Sequence, residues 1–398
     1  MRPDPAAAPA AAPLGLLFCV TAIAPLGLNV IVPALPAIGA SFEAPHSMVQ
    51  LTLSLYLLGY ALAQLVLGPL SDRLGRRPVL LASTAMFVGG SLGAALAQDM
   101  PGLIAARICQ SLGGCAALVV PRAAVRDAYQ GPAAVHAMTR VTLALAVVPA
   151  LAPLVAGLLV SGWGWRAVFF FCTAYGAAMF VWQWMRLAET LPPQRRLADG
   201  TRAVARRHAA LLRSPTYVAY VANMGLLGVG LMVFLSVAPP LLIDGLGMSP
   251  AAYGFCQLLL GVPIVAGGLL ASRAAHRLGL DGALLLASVL AIVGLALTLL
   301  LAEQLTVARL VGPMLIYALA SGACLPLALT GATSVAPHAA GVSAAMAGFG
   351  QMALGATGVF VVNQFDSLAL PFAAFSLACA LLGTGLLAVL RRGRVPAA

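Results

Sequence analysis

The chain reads as an all-α membrane protein: twelve transmembrane helices in two pseudo-symmetric six-helix bundles. Three observations carry that reading. Of 398 residues, 62% are hydrophobic and only 8% are charged, whereas a soluble domain is about a quarter charged. Apolar runs of roughly 20 residues, each long enough to cross a hydrocarbon core of about 30 Å, recur along most of the length. The longest polar interruption, 188–214, falls near the middle.

Taken in order, the runs place spans near 14–36, 47–70, 78–98, 102–124, 136–160 and 165–187, then near 216–241, 251–272, 281–301, 307–329, 339–362 and 369–390. This divides the chain into a tail 1–13, a first bundle 14–187, a basic linker 188–214, a second bundle 215–390 and a tail 391–398. The first run is too long and uninterrupted for a cleaved leader, so it is expected to remain as the first helix.

All 22 basic residues are Arg, and the net charge is +11. The distribution of this charge argues against nucleic acid. The arginines between spans, from Arg73, Arg76 and Arg77 through Arg195, Arg196, Arg202, Arg206 and Arg207 to Arg391, Arg392 and Arg394, all fall on one side of the map. That bias puts both termini in the cytoplasm. The opposite loops carry Glu43, Asp99, Asp244, Glu303 and Asp366, with Arg166 their only cation. Seven cysteines lie within the spans, so neither a disulfide framework nor a metal site is expected, and no cofactor is implied.

The segment Gly68-Pro-Leu-Ser-Asp72-Arg73-Leu-Gly75-Arg76-Arg77-Pro78 sets a charge cluster between the second and third spans. Gly68 and Gly75 allow close approach and a tight turn. Asp72 can pair with Arg76 and, through Arg, with Asp127 at the end of the fourth span. Such a cluster can bias a two-state equilibrium. Shifting by 200 positions gives Gly268, Ser272, Arg273, His276 and Arg277, a degenerate echo in the second bundle. Parallel six-span halves with a site between them are a known transporter plan.

At these residues the chain resembles the major facilitator superfamily. The 68–78 segment resembles its loop signature, Arg107-Ile-Cys-Gln110-Ser-Leu-Gly113 its fourth-helix signature, and Pro149, Pro153 and Gly157 its fifth-helix antiporter signature. Val32-Pro33-Ala34-Leu35-Pro36, Arg122-Ala-Ala-Val-Arg126-Asp127 and Trp165-Arg166-Ala-Val-Phe169 are similar to the drug-exporter branch of bicyclomycin-resistance proteins and amphenicol exporters. The resemblance implies a bacterial inner-membrane exporter, not an enzyme, working by alternating access. The loop cluster Gly68, Asp72, Arg73, Gly75, Arg76, Arg77 and Asp127 would latch it, and Pro149, Pro153 and Gly157 would serve as the hinge of the fifth helix. Gly348, Gly350, Gly355 and Gly358 on the eleventh span read as the hinge's counterpart.

An Arg inside a span is a functional-site hypothesis and should face the bundle interior; Arg107 lies roughly 9 Å deep. Tyr56 and Tyr60 share a helix face, as do Arg107 and Gln110. With Asn29, Asn223, Gln257 and Gln351 they form the expected substrate site, beside apolar Met224, Met232, Phe234, Met346 and Phe349. No carboxylate lies deep in a span. In the branch resembled, an Asp commonly occupies the position that is Asn29 here, and an amide cannot carry the proton. Coupling through Asp72 and Asp127, through His136 or His338, or no coupling, all stay open. A pocket with Arg107 and no buried acid favours a small neutral or anionic drug-like solute, chloramphenicol-like by resemblance. The expected partners are that solute, protons and the lipid bilayer, with no nucleic acid, for a monomer. The alternative is a sugar or small-metabolite exporter without proton coupling.

Overall fold

A computed structural model of the chain describes residues 13–196, 201–304, 306–336 and 340–392. The tails expected at 1–13 and 391–398 lie almost wholly outside them, as does His338. All regular structure among the described residues is helical: α1 Leu14–Asn29, a 3₁₀ turn Val32–Ala34, α2 Leu35–Phe42, α3 His46–Leu74, α4 Arg76–Ala95, α5 Met100–Ala128, α6 Gly131–Trp163, α7 Arg166–Arg186, α8 Thr201–Leu212, α9 Pro215–Pro239, α10 Pro250–Leu301, α11 Val307–Val335, α12 Ala340–Val362 and α13 Ala369–Arg392.

Among the described residues, eleven stretches are long and apolar enough to cross a membrane. One of them, the 52-residue α10, contains a non-helical residue at Gly279 (φ 72°, ψ 167°). Its two arms are therefore separate spans, which brings the number to twelve. The break in the first span has a chemical cause: Pro33 and Pro36 lack N–H groups, so the backbone passes from α1 through the 3₁₀ turn into α2. The polar linker holds α8 as a short helix of its own.

Within the first half, α4 packs on α5 and α7, α3 on α5, and α1 on α5 and α6; within the second, α9 packs on α11, α12 and α13, and α10 on α11 and α13. Two seams join the halves, α3 with α12 and α6 with α10. These are the second span with the eleventh, and the fifth with the eighth. A shift of six spans exchanges one seam for the other, as a pseudo-two-fold axis requires. A Cβ on Gly157 would lie 2.2 Å from the Pro250 carbonyl oxygen, one on Gly254 2.8 Å from that of Pro153, and one on Gly261 2.6 Å from Ala150 Cβ. The seam is thus a close backbone contact between α6 and the first arm of α10.

One loop differs from the sequence map. Arg309 stands in the first turn of α11, on the same Arg-poor face as Arg166, so that face carries a second cation. The expected map overlooked it because it sits inside the apolar run. Arg166 lies 4.2 Å over the Trp165 ring and donates to the Ala97 carbonyl, while Trp165 Nε1 donates to Ser41 Oγ. The Trp165-Arg166 pair therefore ties α2 and the α4–α5 loop to the start of α7.

Candidate functional site

The charged loop sits just past the hydrocarbon. α3 has 29 residues, about 43 Å at 1.5 Å per residue, so its end protrudes beyond a core of about 30 Å. There Arg76 Nη1 is 2.5 Å from Asp72 Oδ1 and Arg76 Nε is 2.8 Å from Asp127 Oδ2. Arg76 Nη1 also donates to Ser71 Oγ at 2.7 Å. One guanidinium thereby joins the ends of α3 and α5 at the first turn of α4, using its fork of donors in a way an ammonium could not.

A fourth group, absent from the sequence expectation, completes the cluster. Glu189, beyond the end of α7, accepts the backbone N–H of Arg76 at 2.9 Å and of Arg77 at 3.3 Å. A carboxylate at a helix N-terminus satisfies free N–H groups and complements the helix dipole. Only its acidic side chain beside the basic linker could have signalled it. Arg77 reaches back, donating to the Trp184 carbonyl at 2.9 Å with its guanidinium 5.8 Å over the Trp184 ring. Arg73 is exposed.

Of the two glycines expected to serve the turn, one does. Gly75 has φ 105° and ψ 159° between α3 and α4, a region that L side chains rarely enter. Gly68 lies within α3, where a Cβ would make ordinary contact with Val119 at 3.8 Å; it needs no special space. The second-half turn glycine is Gly279, so the echo aligns Gly75 with Gly279 and Arg73 with Arg277, one helical turn on from the register expected from residue matches. Helical periodicity produces that slip, since similar residues recur at four-residue intervals.

Arg107 is fully buried inside the first bundle. Its Nη1 donates to the Gly27 carbonyl of α1 at 2.8 Å and to Gln110 Oε1, and Gln110 Nε2 donates to Ser91 Oγ of α4 at 2.7 Å. Tyr56 of α3 lays its ring 4.0 Å from the guanidinium carbon, with Phe169 of α7 at 5.9 Å. Five helices thus surround one cation. Among the described residues its Nε and Nη2, and the Tyr56 hydroxyl, meet no protein acceptor. Tyr60 stacks on Tyr56 at 6.3 Å between centroids.

The profile of the Major Facilitator Superfamily matches residues 17–359. The chain belongs to that family. A chloramphenicol resistance protein of Pseudomonas aeruginosa is 32% identical over 353 residues, covering 87% of this chain and 82% of the relative. The uncharacterized MFS-type transporter YdgK of Bacillus subtilis (strain 168) is 28% identical over 350 residues, 87% of each chain. The xylose transporter XylE from E. coli, solved in a partially occluded inward-open conformation, superposes with a TM-score of 0.74 at 14% identity over 96% of this chain and 97% of that one. That likeness shows the fold alone. The chain is accordingly a multi-pass membrane transporter of the superfamily rather than an enzyme, and its resemblance to the drug-exporter branch agrees with the Pseudomonas relative.

In this major facilitator protein the other predicted residues are spread over several neighbourhoods. Asn29 Nδ2 donates to the Pro25 carbonyl of its own helix at 2.8 Å. Asn223 Nδ2 donates to Ser288 Oγ at 3.3 Å, between α9 and the second arm of α10. Gln257 Nε2 donates to the Tyr253 hydroxyl at 2.5 Å. Gln351 is half-buried on α12, 3.3 Å from where a Cβ on Gly228 would stand. Phe234 packs on Phe372 at 5.9 Å within the second bundle. Pro149 and Pro153 lie inside α6. His136 is exposed. The described carboxylates all lie at helix ends or loops, and Asp281, at the start of the second α10 arm, accepts a hydrogen bond from the Tyr220 hydroxyl.

Proposed function

We propose that this transporter exports small neutral or anionic drug-like molecules, amphenicols first among them, by alternating access coupled to protons. The observation that carries the reading is Arg107: a cation enclosed by the first bundle with no carboxylate of the described residues against it, balanced instead by a carbonyl, an amide and an aromatic face. A solute with an acceptor or negative group gains from such a centre, whereas a lipophilic cation is repelled. The name of the Pseudomonas relative supports the amphenicol choice.

In this reading Tyr56, Tyr60, Arg107 and Gln110 of the first half contact the solute, together with Asn29, Asn223, Gln257 and Gln351. The cluster Gly68, Asp72, Arg73, Gly75, Arg76, Arg77 and Asp127, with Glu189 added, is the latch, and Pro149, Pro153 and Gly157 let α6 bend as its hinge. The bundles 14–187 and 215–390 rock about the two seams, joined by the linker 188–214. The Arg-rich face is turned to the cytoplasm of a bacterial inner membrane, and the working unit is a monomer.

Uptake of radiolabelled chloramphenicol into inverted vesicles, with and without an imposed proton gradient, tests this. The expected result is gradient-driven uptake, with amphenicol tolerance falling on gene deletion and ethidium efflux unchanged. Loss of ethidium efflux with unaltered amphenicol tolerance overturns the substrate class, and uptake indifferent to the gradient overturns coupling. Asn29, an amide that cannot release a proton, favours a second reading: an uncoupled exporter of a sugar or small organic metabolite.

A further inference from the structure

On the Arg-poor face the two halves are joined by a chain of side-chain hydrogen bonds. His46 Nε2 lies 2.7 Å from Asn363 Oδ1; Asn363 Nδ2 donates to Ser236 Oγ at 2.7 Å; the Ser236 hydroxyl donates to Gln50 Oε1 at 2.6 Å; and Gln50 Nε2 returns to the Ser236 carbonyl at 3.1 Å. His46 and Gln50 belong to the first half, one helical turn apart on α3, while Ser236 on α9 and Asn363 after α12 belong to the second. Gln50, Ser236 and Asn363 are buried, and His46 is half-buried at the surface end of the chain.

The direction of each bond follows from the donors available. Asn363 Nδ2 uses its hydrogens on Ser236 Oγ and on the Val359 carbonyl at 2.7 Å. Its Oδ1 must therefore accept, and His46 must donate from Nε2. Neutral imidazole has one N–H, which can sit on either nitrogen; imidazolium always has one on Nε2 and makes the stronger, charge-assisted bond. Histidine is the side chain that ordinarily changes charge between about pH 5 and 8. The acidic groups on this side of the seam are Asp244 beyond α9, whose charge interacts with that of His46, Asp366 beyond α12, and Glu43 at the end of α2.

We propose that His46, Asn363, Ser236 and Gln50 form a proton-responsive clasp, with His46 the proton-binding site, that holds the halves shut on the Arg-poor face. Protonation tightens the clasp and deprotonation loosens it. On the orientation adopted above this face meets the external medium, so external acid closes the emptied carrier to the outside. The clasp depends on the two-bundle fold and not on the identity of the cargo.

Spin labels at Gln98→Cys and Ser367→Cys, on full-length protein whose native cysteines are Ala, in nanodiscs, read the opening by pulsed EPR distances. At about pH 5.5 a short distance dominates, and at about pH 8 the closed-to-open ratio falls by roughly tenfold. His46→Gln abolishes the pH response, and Asn363→Leu yields the long distance at both pH values. A parent without a pH response, a response that survives His46→Gln, or an Asn363→Leu protein as closed as the parent overturns the proposal. Chloramphenicol uptake is not the readout, so failure here is separate from failure of the substrate assignment.

Discussion

Glu189 stands directly against Gly75: a Cβ on Gly75 would lie 2.3 Å from Glu189 Oε2. The same carboxylate accepts the first N–H groups of α4. The turn and the carboxylate thus occupy each other's space, and neither can change without displacing the other.

Gly75→Ala is therefore expected to destabilise the protein by about 1–3 kcal/mol from a backbone conformation that only glycine adopts readily, with a further loss from displacing Glu189. Glu189→Gln keeps the shape and removes the charge, so its effect is smaller. Thermal unfolding in detergent, followed by intrinsic fluorescence, should rank the two in that order. Equal losses would mean that charge rather than space governs the turn.

Arg76 bridges two acids from two helices, at 2.5 Å and 2.8 Å. Asp72 is 35% exposed at its side chain, which screens its share, whereas Asp127 is better buried. Arg76→Lys retains the charge but not the two-armed geometry, and should cost roughly 1–3 kcal/mol after allowing for solvent screening. Transport should fall more than expression does. Asp127→Asn is expected to be the more damaging of the two acid replacements, and vesicle uptake by the two variants would reveal the reverse order if solvent-exposed Asp72 carried the bridge.

Tyr56 balances Arg107 through its ring, 4.0 Å away, while its hydroxyl has no acceptor among the described residues. Tyr56→Phe should keep the fold, whereas Tyr56→Leu should lose about 2 kcal/mol, the scale of a desolvated cation–π contact. Arg107→Ala should abolish chloramphenicol uptake while leaving membrane insertion intact. Uptake retained at the parental rate would reduce Arg107 to a packing residue. A large loss in Tyr56→Phe would instead assign the hydroxyl to the solute.

At the α6–α10 seam a side chain on Gly157 has no room, since its Cβ would meet the Pro250 carbonyl oxygen at 2.2 Å. Gly157→Val should force the helices apart at about 1–3 kcal/mol. On the proposed rocking of the halves about this seam, export should fall by more than the shift in unfolding temperature accounts for. A proportionate loss of both would mark the seam as static.

Much of the fold was legible because a membrane span must satisfy its own backbone hydrogen bonds, so length and apolarity along the chain announce each helix. Gly75 and Arg76 were legible for a related reason: a charged turn between two apolar runs has few other uses. Glu189 was not, since it meets Arg76 across 113 positions, and one acid beside a basic linker looks like any solvated charge. Gln50 and Ser236 are 186 positions apart, and nothing in either helix marks its polar residue as a cross-half partner. The second-half echo was found but misregistered, because residue matching cannot distinguish neighbouring helical turns, while the backbone at Gly279 can.

From the sequence alone came the membrane class, the twelve spans, the bias of the loop arginines to one side and the cation of the fourth helix, all consequences of how individual segments partition between water and hydrocarbon. The tertiary structure alone decided which helices form the seams, which carboxylate caps α4, and how Arg107 is balanced without an acid. Partitioning is settled span by span along the chain, whereas a buried polar group must find its partner on whichever helix packs beside it, and that neighbour exists only once the bundle has closed.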